Sequence, residues 1–141
     1  MQISQSIIPI SVYSNFYQSD IMLQAYAVED EPGAYVLLHN NLKAFMLNLM
    51  LEQAKRGSTL VVDYTPIETS MSHCIVSCTI SSGKYKVTET GESCVSTLNT
   101  TIAKNYPYIE AEVRAFDRAV ISFLQLNING KRFYSDKEIA G

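Results

Sequence analysis

Residues 107–126 read Pro-Tyr-Ile-Glu-Ala-Glu-Val-Arg-Ala-Phe-Asp-Arg-Ala-Val-Ile-Ser-Phe-Leu-Gln-Leu, and this stretch carries the clearest helical periodicity in the chain. Its large apolar side chains recur at steps of four, three, four and three, the spacing of a buried helical stripe: Ile109, Val113, Phe116, Val120 and Phe123. Pro107 suits the first helical position, because its ring fixes φ and its missing N–H would have no partner within the helix. We therefore predict a helix over 107–126 with this stripe in the core.

The other two faces of the predicted helix carry small and charged side chains. A row of alanines at steps of four would let the helix lie close against a sheet: Ala111, Ala115 and Ala119. The polar face combines Glu110, Arg114, Asp117 and Arg118. Glu110 and Arg114 form a favourable i,i+4 pair, whereas Arg114 and Arg118 repel each other by ~0.2–0.5 kcal/mol in water. Two arginines on one face therefore require acidic neighbours or an anionic ligand.

Length and composition predict one domain over residues 1–141. A chain of 141 residues with 47% apolar and 18% charged residues can bury a core without disulfides or metal. Its apolar runs are much shorter than the ~18–20 residues that span a membrane. No basic leader precedes the N-terminal apolar patch, and three cysteines without framework spacing are typical of reduced thiols. We expect a cytoplasmic protein that makes no membrane contact.

Charge is distributed unevenly along the chain. The formal net charge is −3. Residues 1–83 contain three bases and seven acids, a net −4, whereas residues 84–141 contain eight bases and seven acids, a net +1. This balance excludes a generally basic nucleic-acid module. Binding to nucleic acid would require a local basic stripe or a ring of subunits that concentrates one.

The segments before this helix predict an α-β-β-β-α core over residues 39–126. Asn40 or Asn41 can cap a helix that ends at Gly57. β-Branched and aromatic residues predict three strands, the last two joined by a glycine-containing hairpin turn: 58–65, 71–80 and 84–90. We expect an α+β fold in which an antiparallel sheet of three to five strands carries the two main helices on one face.

The two ends of the chain are harder to assign. Residues 1–38 are an extension in which 3–13 suit an edge strand or an irregular arm, because Pro9 disfavours a central strand. Residues 21–28 suit either a strand or a helix, and a turn then precedes a short strand. Residues 127–141 form a turn-rich tail that we expect to lie back on the body.

No catalytic, cofactor or metal site is predicted. The only histidines are His39 and His73, which we expect to be structural or surface residues. No serine lies in a Gly-x-Ser-x-Gly elbow, and no stretch reads as a glycine-rich phosphate loop. Cys74 and Cys78 would lie roughly 13 Å apart on a strand, at ~3.3 Å per residue. A zinc site is therefore conceivable only if that strand is wrong, with four ligands: His73, Cys74, Cys78 and Cys94.

Cations and aromatic rings recur in the C-terminal half. Lys84 and Lys86 flank Tyr85 on the third strand, so both lysines would project from one face. A second group surrounds the start and the outer face of the long helix: Lys104, Tyr106, Tyr108, Arg114 and Arg118. Single-stranded nucleic acid requires this combination, because cations track phosphates and rings stack on bases. The residue types alone favour the alternative, a solvated strand face with paired surface arginines.

The C-terminal third also carries a resemblance. Its segments are Thr-Gly-Glu at 90–92, Ala-Lys-Asn-Tyr-Pro at 103–107, Ala111 with Arg-Ala-Phe-Asp-Arg-Ala at 114–119, and Tyr-Ser-Asp-Lys-Glu-Ile at 134–139. This pattern resembles small phage and mobile-element proteins of Firmicutes, which are distantly similar to phage single-strand annealing recombination proteins of the essential-recombination-function type. The resemblance implies a β-β-β-α core, as in annealing proteins or double-stranded-RNA-binding domains. It also implies rings or filaments, with a basic groove between hairpin and helix.

Together, these observations predict a phage or mobile-element accessory protein that binds or anneals single-stranded DNA without catalysis, as a homo-oligomer. Arg114, Arg118 and Lys104 would hold phosphates. Lys84 and Lys86 would extend the track, and Tyr106 or Tyr108 would stack on bases. The alternative is a protein-interaction or assembly module without nucleic-acid binding, whose arginine face meets an acidic partner or another subunit.

Overall fold

The computed structural model describes residues 1–126 and 131–139 and confirms an α+β fold with two sheets. The strands are β1 Ile8–Ser14, β2 Ser19–Ala27, β3 Ala34–Leu37, β4 Leu60–Thr69, β5 His73–Ser82, β6 Tyr85–Cys94 and β7 Arg132–Ser135. The helices are α1 His39–Lys55, α2 Thr101–Asn105, α3 Pro107–Leu124 and α4 Asp136–Ile139, with a 3₁₀ turn at Val95–Thr97. No helix in the described part of the chain is long and apolar enough to cross a membrane.

The N-terminal extension supplies three strands of a four-stranded sheet, in the order β1-β2-β3-β7. The β1–β2 and β2–β3 pairs are antiparallel, whereas β3 and β7 are parallel. β1 lies at the sheet edge, as Pro9 indicated. Buried and exposed residues alternate along β1 and β2. The core-facing residues are Ile10, Val12, Ile21, Leu23 and Ala25. The predicted tail lies on the body where it is described, as β7 and α4; residues 127–130 and 140–141 lie outside the described residues.

The second sheet is the predicted antiparallel meander, in the order β4-β5-β6. Gly83, with φ +60°, forms the turn between β5 and β6. β4 and β6 continue beyond the predicted ends at residues 65 and 90, because Thr69 still pairs with Cys74 and Cys94 with His73. A bulge interrupts the pairing of β4 between Pro66 and Glu68.

Helix α1 buries one face, with Leu42, Met46 and Leu49 in the core. The asparagine cap is wrong, because Leu38 occupies the N-cap position and the helix begins at His39. Its first amide is satisfied from a distant element instead: His39 N donates to Asp136 Oδ1 at 2.8 Å. The helix ends as predicted before Gly57, whose φ is +76°.

Helix α3 packs on β5 and β6 through its alanine row. Gly91 of β6 lies directly beneath, where an added Cβ would overlap Ala115 N and Ala111 O. This close approach sets the rotation of the helix about its axis. Consequently Ile109 is not buried as predicted but 54% exposed, while Asp117, predicted on the polar face, is fully buried.

One hydrophobic cluster joins both sheets to α1 and α3. From the first sheet it includes Val12 and Leu23, and from the second Ile80, which contact helical residues such as Leu49 and Phe123. The two long helices are therefore fixed by the same core, and the surfaces beside α3 are set by which strands it covers.

Candidate functional site

The predicted binding residues are spread along α3 and β6, which run antiparallel. At one end the Ser93 hydroxyl donates to Pro107 O, and at the other Tyr85 OH donates to Phe123 O at 2.9 Å. Lys84 and Lys86 thus lie near the C-terminal end of α3, and Lys104 near its N-terminal end. Those ends are about 24 Å apart, since a helix rises ~1.5 Å per residue. The predicted residues form three separate groups, not one cluster.

The first group, Lys84 and Lys86, differs in placement from the prediction. Lys86 is exposed on the outer face of β6, opposite the face that carries Tyr85. Lys84 lies in the hairpin turn before the strand. Tyr85 packs on Phe123 with its hydroxyl bonded to that residue's carbonyl, so its ring belongs to the core.

The second group, Arg114 and Arg118, has hydrogen-bonding partners within the chain, and Arg118 also has a carboxylate partner. Arg114 donates from Nε to Lys137 O at 3.0 Å and from Nη1 to Glu92 O at 2.8 Å. It thereby ties α4 to β6. Arg118, 55% exposed, pairs through Nη2 with Glu138 Oε2 at 3.2 Å. Burial raises the pKa of the Glu138 carboxyl, and Arg118 opposes that shift.

We name the surface around these residues the arginine groove, formed by two adjoining cavities of about 310 and 330 Å³. Its charged residues are Arg114, Arg118, Arg132, Glu89, Glu92 and Glu138. Arg132 also pairs with Glu31 at 3.1 Å, and Glu89 accepts from Ser122 Oγ at 2.7 Å. Three cations among three carboxylates create no net positive field, which phosphate attraction requires.

The third group lines an open cavity of about 560 Å³ between the α2–α3 junction and the β4–β5 turn. Lys104, Tyr106 and Tyr108 lie here as predicted, so a cation does stand beside two rings. Their neighbours are both polar and apolar; among the apolar ones Ile109 is exposed, and Met71 is 94% exposed. This is the one place where the structure brings predicted lysine and tyrosine residues together.

Further along the same side of α3 lies a surface that the sequence reasoning missed. α3 covers β5 and β6 but makes only marginal contact with β4. Val62 and Tyr64 pair with Ile80 and Cys78 and therefore point to the same, helix-bearing face. Whereas Ile80 and Cys78 are buried, Tyr64 is exposed. Helix α1 contacts β4 as well, and Met46, Leu47 and Met50 line one cavity with Val62 and Tyr64, so this half of the sheet is only partly covered.

We name this surface the β4 groove. It is bounded by β4 residues Val62, Tyr64 and Thr69 and α3 residues Tyr108, Ile109, Glu112, Val113 and Phe116. Two further cavities of about 120 and 180 Å³ lie along it, sharing Lys43, Tyr64 and Phe116. The sequence did hold a signal: Leu60, Val62 and Tyr64 alternate as one apolar strand face, and two helices cannot cover every strand.

The centre of the β4 groove is partly dry, and Glu112 and Lys43 line the same cavity there. Burial raises the pKa of the Tyr64 phenol, and Glu112 adds to that shift. Burial also raises the pKa of the Cys78 thiol to about 12, with Glu112 and Asp63 adding to it. Since burial is the largest cause of both shifts, the centre of the groove disfavours a charged group of either sign that lacks a partner.

Both histidines are held by carboxylates. His39 Nδ1 binds Asp117 Oδ1 at 2.6 Å, and Asp117 Oδ2 accepts from Ser135 Oγ at 2.6 Å. On the outer face of the second sheet, His73 Nδ1 lies 2.9 Å from Glu68 Oε2, and its Nε2 binds Glu92.

The three thiols are free, with Cys74 and Cys78 buried. Among residues 1–126 and 131–139, no three His, Cys, Asp or Glu side chains are grouped to hold a metal ion.

Comparison with protein-family models, curated proteins and solved structures found no match to this chain. The resemblance to annealing proteins therefore stays a prediction, and function must be argued from the two grooves beside α3.

Proposed function

We propose that the chain is a non-catalytic protein-interaction module whose β4 groove binds an amphipathic helix of a protein partner. The observation that carries the proposal is the helix-bearing face of β4, where Tyr64 is exposed along the side of α3 that also carries the exposed Ile109. Apolar side chains that line a contiguous groove typically mark a binding surface. In contrast, the arginines predicted to bind DNA already have partners within the chain.

The dimensions of the groove favour a helix. Neighbouring strands are ~4.8 Å apart, and a helix is ~10 Å wide, so α3 covers about two of the three strands. Helices pack ~8–10 Å apart. Because α1 already contacts α3 and β4 at one end, the partner helix would lie along the part of the groove that α1 leaves open, towards Ile109. A strand added to the free edge of β4 is less favourable, because Pro66, the adjacent bulge and Asp63 protect that edge.

The groove also defines the chemistry of the partner helix. An apolar stripe would contact Tyr64, Ile109 and Val113, which line successive parts of the groove. A lysine or arginine beside the stripe would pair with Glu112, which lines the groove next to Val113.

A display selection tests this proposal. A library of amphipathic helical peptides would be selected on the protein, and enriched peptides measured by fluorescence anisotropy. We expect micromolar peptides with an apolar stripe and a base, whose affinity falls at least about tenfold with Ile109→Asp. Met22→Asp, an equally exposed apolar site on β2, is the matched control and should leave affinity unchanged. An empty selection, or peptides that are indifferent to Ile109→Asp, contradicts the proposal.

Single-stranded DNA binding is the second candidate, because Lys104, Tyr106 and Tyr108 line one open cavity. A labelled oligonucleotide should then bind at low salt and weaken as salt rises. Lys104→Ala and Tyr106→Ala should each weaken binding, whereas Arg114 variants should act through stability. No binding at low salt would contradict this candidate. The proposed phage role depends on the same result.

A further inference from the structure

His39, the first residue of α1, has an imidazole that is held from two sides. Its Nδ1 lies 2.6 Å from Asp117 Oδ1, and Asp117 Oδ2 accepts from Ser135 Oγ at 2.6 Å. The ring of Phe116 packs nearly perpendicular to the imidazole, with 5.9 Å between the ring centroids. Because Asp117 is fully buried, its hydrogen bonds fix both the orientation of the imidazole and the proton on Nδ1.

The other ring nitrogen of His39, Nε2, opens into the β4 groove. It has no hydrogen-bonding partner among residues 1–126 and 131–139, yet no buried side-chain nitrogen or oxygen there lacks one. Nε2 is therefore reached by solvent, and His39 lines the cavity of about 120 Å³ in the centre of the groove. An imidazole nitrogen that a buried carboxylate orients and that opens into a cavity is a ready hydrogen-bonding site for a ligand.

This cavity favours a neutral occupant. Lys43 and Glu112 line it with opposite charges, so the pair leaves no net charge to attract an ion. Burial is the main cause of the raised pKa of the Tyr64 phenol on the same wall. An occupant with an unpaired charge would meet the same desolvation and is disfavoured.

The walls and the size of the cavity favour a single aromatic ring. Tyr64, Val113 and Phe116 supply a largely apolar lining. The volume of about 120 Å³ is close to the ~150 Å³ of a cavity that holds benzene, and this cavity is open on one side. One six-membered ring therefore fits, whereas an indole is too large to enter fully.

We infer that the cavity binds a tyrosine side chain of the partner helix, with the phenol ring against Tyr64 and Phe116 and its hydroxyl hydrogen-bonded to His39 Nε2. A hydroxyl both donates and accepts, so it matches Nε2 in either protonation state. A phenylalanine would fill the same volume but would exclude water from Nε2 without replacing the hydrogen bond. The inference rests on the proposed function, because it takes the phenol from a helix in the β4 groove.

The position of the cavity along α3 also sets the position of the tyrosine in the partner. Val113 lines the cavity one helical turn after Ile109, ~6 Å along the axis at ~1.5 Å per residue. The tyrosine should therefore lie three or four residues from the apolar side chain that contacts Ile109, on the same face of the partner helix.

Two small probes test the cavity without any peptide. p-Cresol carries the ring and hydroxyl of tyrosine, and toluene is the same molecule without the hydroxyl. In NMR titrations of the full chain we expect a dissociation constant of about 1 mM for p-cresol and binding at least about fivefold weaker for toluene. p-Cresol should shift the Nε2 resonance of His39 and the amides of Val113 and Phe116. Equal affinity of the two probes, no binding, or shifts that spare Nε2 overturn the inference.

Two histidine variants assign the preference for p-cresol to His39. His39→Gln should reduce the ratio of the two affinities to less than about twofold, because the hydrogen bond to the hydroxyl is lost. His73→Gln, the same change on the outer face of the second sheet, should leave the ratio unchanged. A ratio that His39→Gln does not alter overturns the inference. Circular dichroism would establish that each variant is folded, and if His39→Gln is not, the shift of Nε2 in the wild type decides.

Helical peptides then identify the source of the phenol. In peptides selected on the β4 groove, replacement of the tyrosine by phenylalanine should weaken binding at least about fivefold. Peptides that bind through Ile109 yet tolerate this replacement overturn the tyrosine but not the proposed function. p-Cresol binding at His39 together with an empty selection contradicts the proposed function, and it overturns the tyrosine in favour of a free phenolic ligand.

Discussion

The two grooves beside α3 differ in how their side chains are satisfied. In the arginine groove, Arg114 and Arg118 bind carbonyls and a carboxylate of the same chain. In the β4 groove, Tyr64, Ile109 and Met71 remain exposed. The sequence drew attention to the first groove because it is charged. The structure draws attention to the second, because unsatisfied apolar surface, not charge already paired within the chain, is what a partner can still bury.

Both grooves depend on the close packing of α3 on Gly91. Disrupting that contact should have the largest effect on stability. Gly91→Ala places a Cβ against backbone atoms of Ala111 and Ala115, so the helix must move. We expect the free energy of unfolding to fall by about 3 kcal/mol or more. Urea denaturation would measure the change, with Thr90→Ala as the exposed neighbouring control. A loss below about 1 kcal/mol would show that the sheet accommodates the methyl group and that the contact is loose.

Asp117 should have the next largest effect, because it anchors the elements on both sides of α3. Its carboxylate binds His39 of α1 and Ser135 of β7 while fully buried. Asp117→Asn keeps the shape but forces one partner to face an amide N–H₂ group. We expect a loss of about 2 kcal/mol in unfolding free energy. Asp63→Asn, at an exposed carboxylate, is the control. Equal stability of the two variants would contradict this anchoring role.

Arg114 and Arg118 lie in the same groove but should differ in how much each contributes to stability. Arg114→Met removes two hydrogen bonds to main-chain carbonyls and should cost about 1–2 kcal/mol. Arg118→Met removes one exposed ion pair and should change stability by less than about 0.5 kcal/mol. Thermal or chemical unfolding of both variants would rank them. The reverse ranking would mean that Arg118, not Arg114, holds α4 in place.

His73 links the two outer strands of the second sheet, β4 and β6. Its replacement should have the smallest effect on stability. The hydrogen bond with Glu92 raises its pKa above 6.5, and Glu68 adds to the shift. A raised folded-state pKa stabilises the fold fully below the unfolded value and loses that effect as pH rises through the folded value. The melting temperature of wild type relative to His73→Gln should therefore be higher at pH 5.5 than at pH 8.5. A difference that is independent of pH would contradict the ion pairs.

The prediction from sequence worked best where the pattern was local. Gly57 and Gly83 end a helix and close a hairpin as expected, and the alanine row of α3 does lie against a sheet. The predicted asparagine cap of α1 was wrong because the helix begins at His39, whose N–H donates to Asp136, 97 residues away. The prediction that Ile109 is buried was wrong because the contact with Gly91 sets the rotation of α3 about its axis. The periodicity within the helix does not specify that rotation.

The same distinction applies to the candidate sites. The residues of the arginine groove were identifiable by type, but their partners Glu138, Lys137 and Glu92 come from α4 and β6. Tyr64 was recognised as a strand residue, yet its exposure depends on α3 covering only β5 and β6. A site defined by a partly covered strand cannot be read from the strand alone.

The sequence by itself determined the class of fold, the meander, the two long helices and the uneven charge, because these depend on neighbours a few residues apart. The tertiary structure alone decided which face of α3 is buried, which charges are paired and which strand is only partly covered. Those outcomes depend on contacts between segments far apart in the chain, where close packing at one glycine and the pairing of buried charges outweigh local preference.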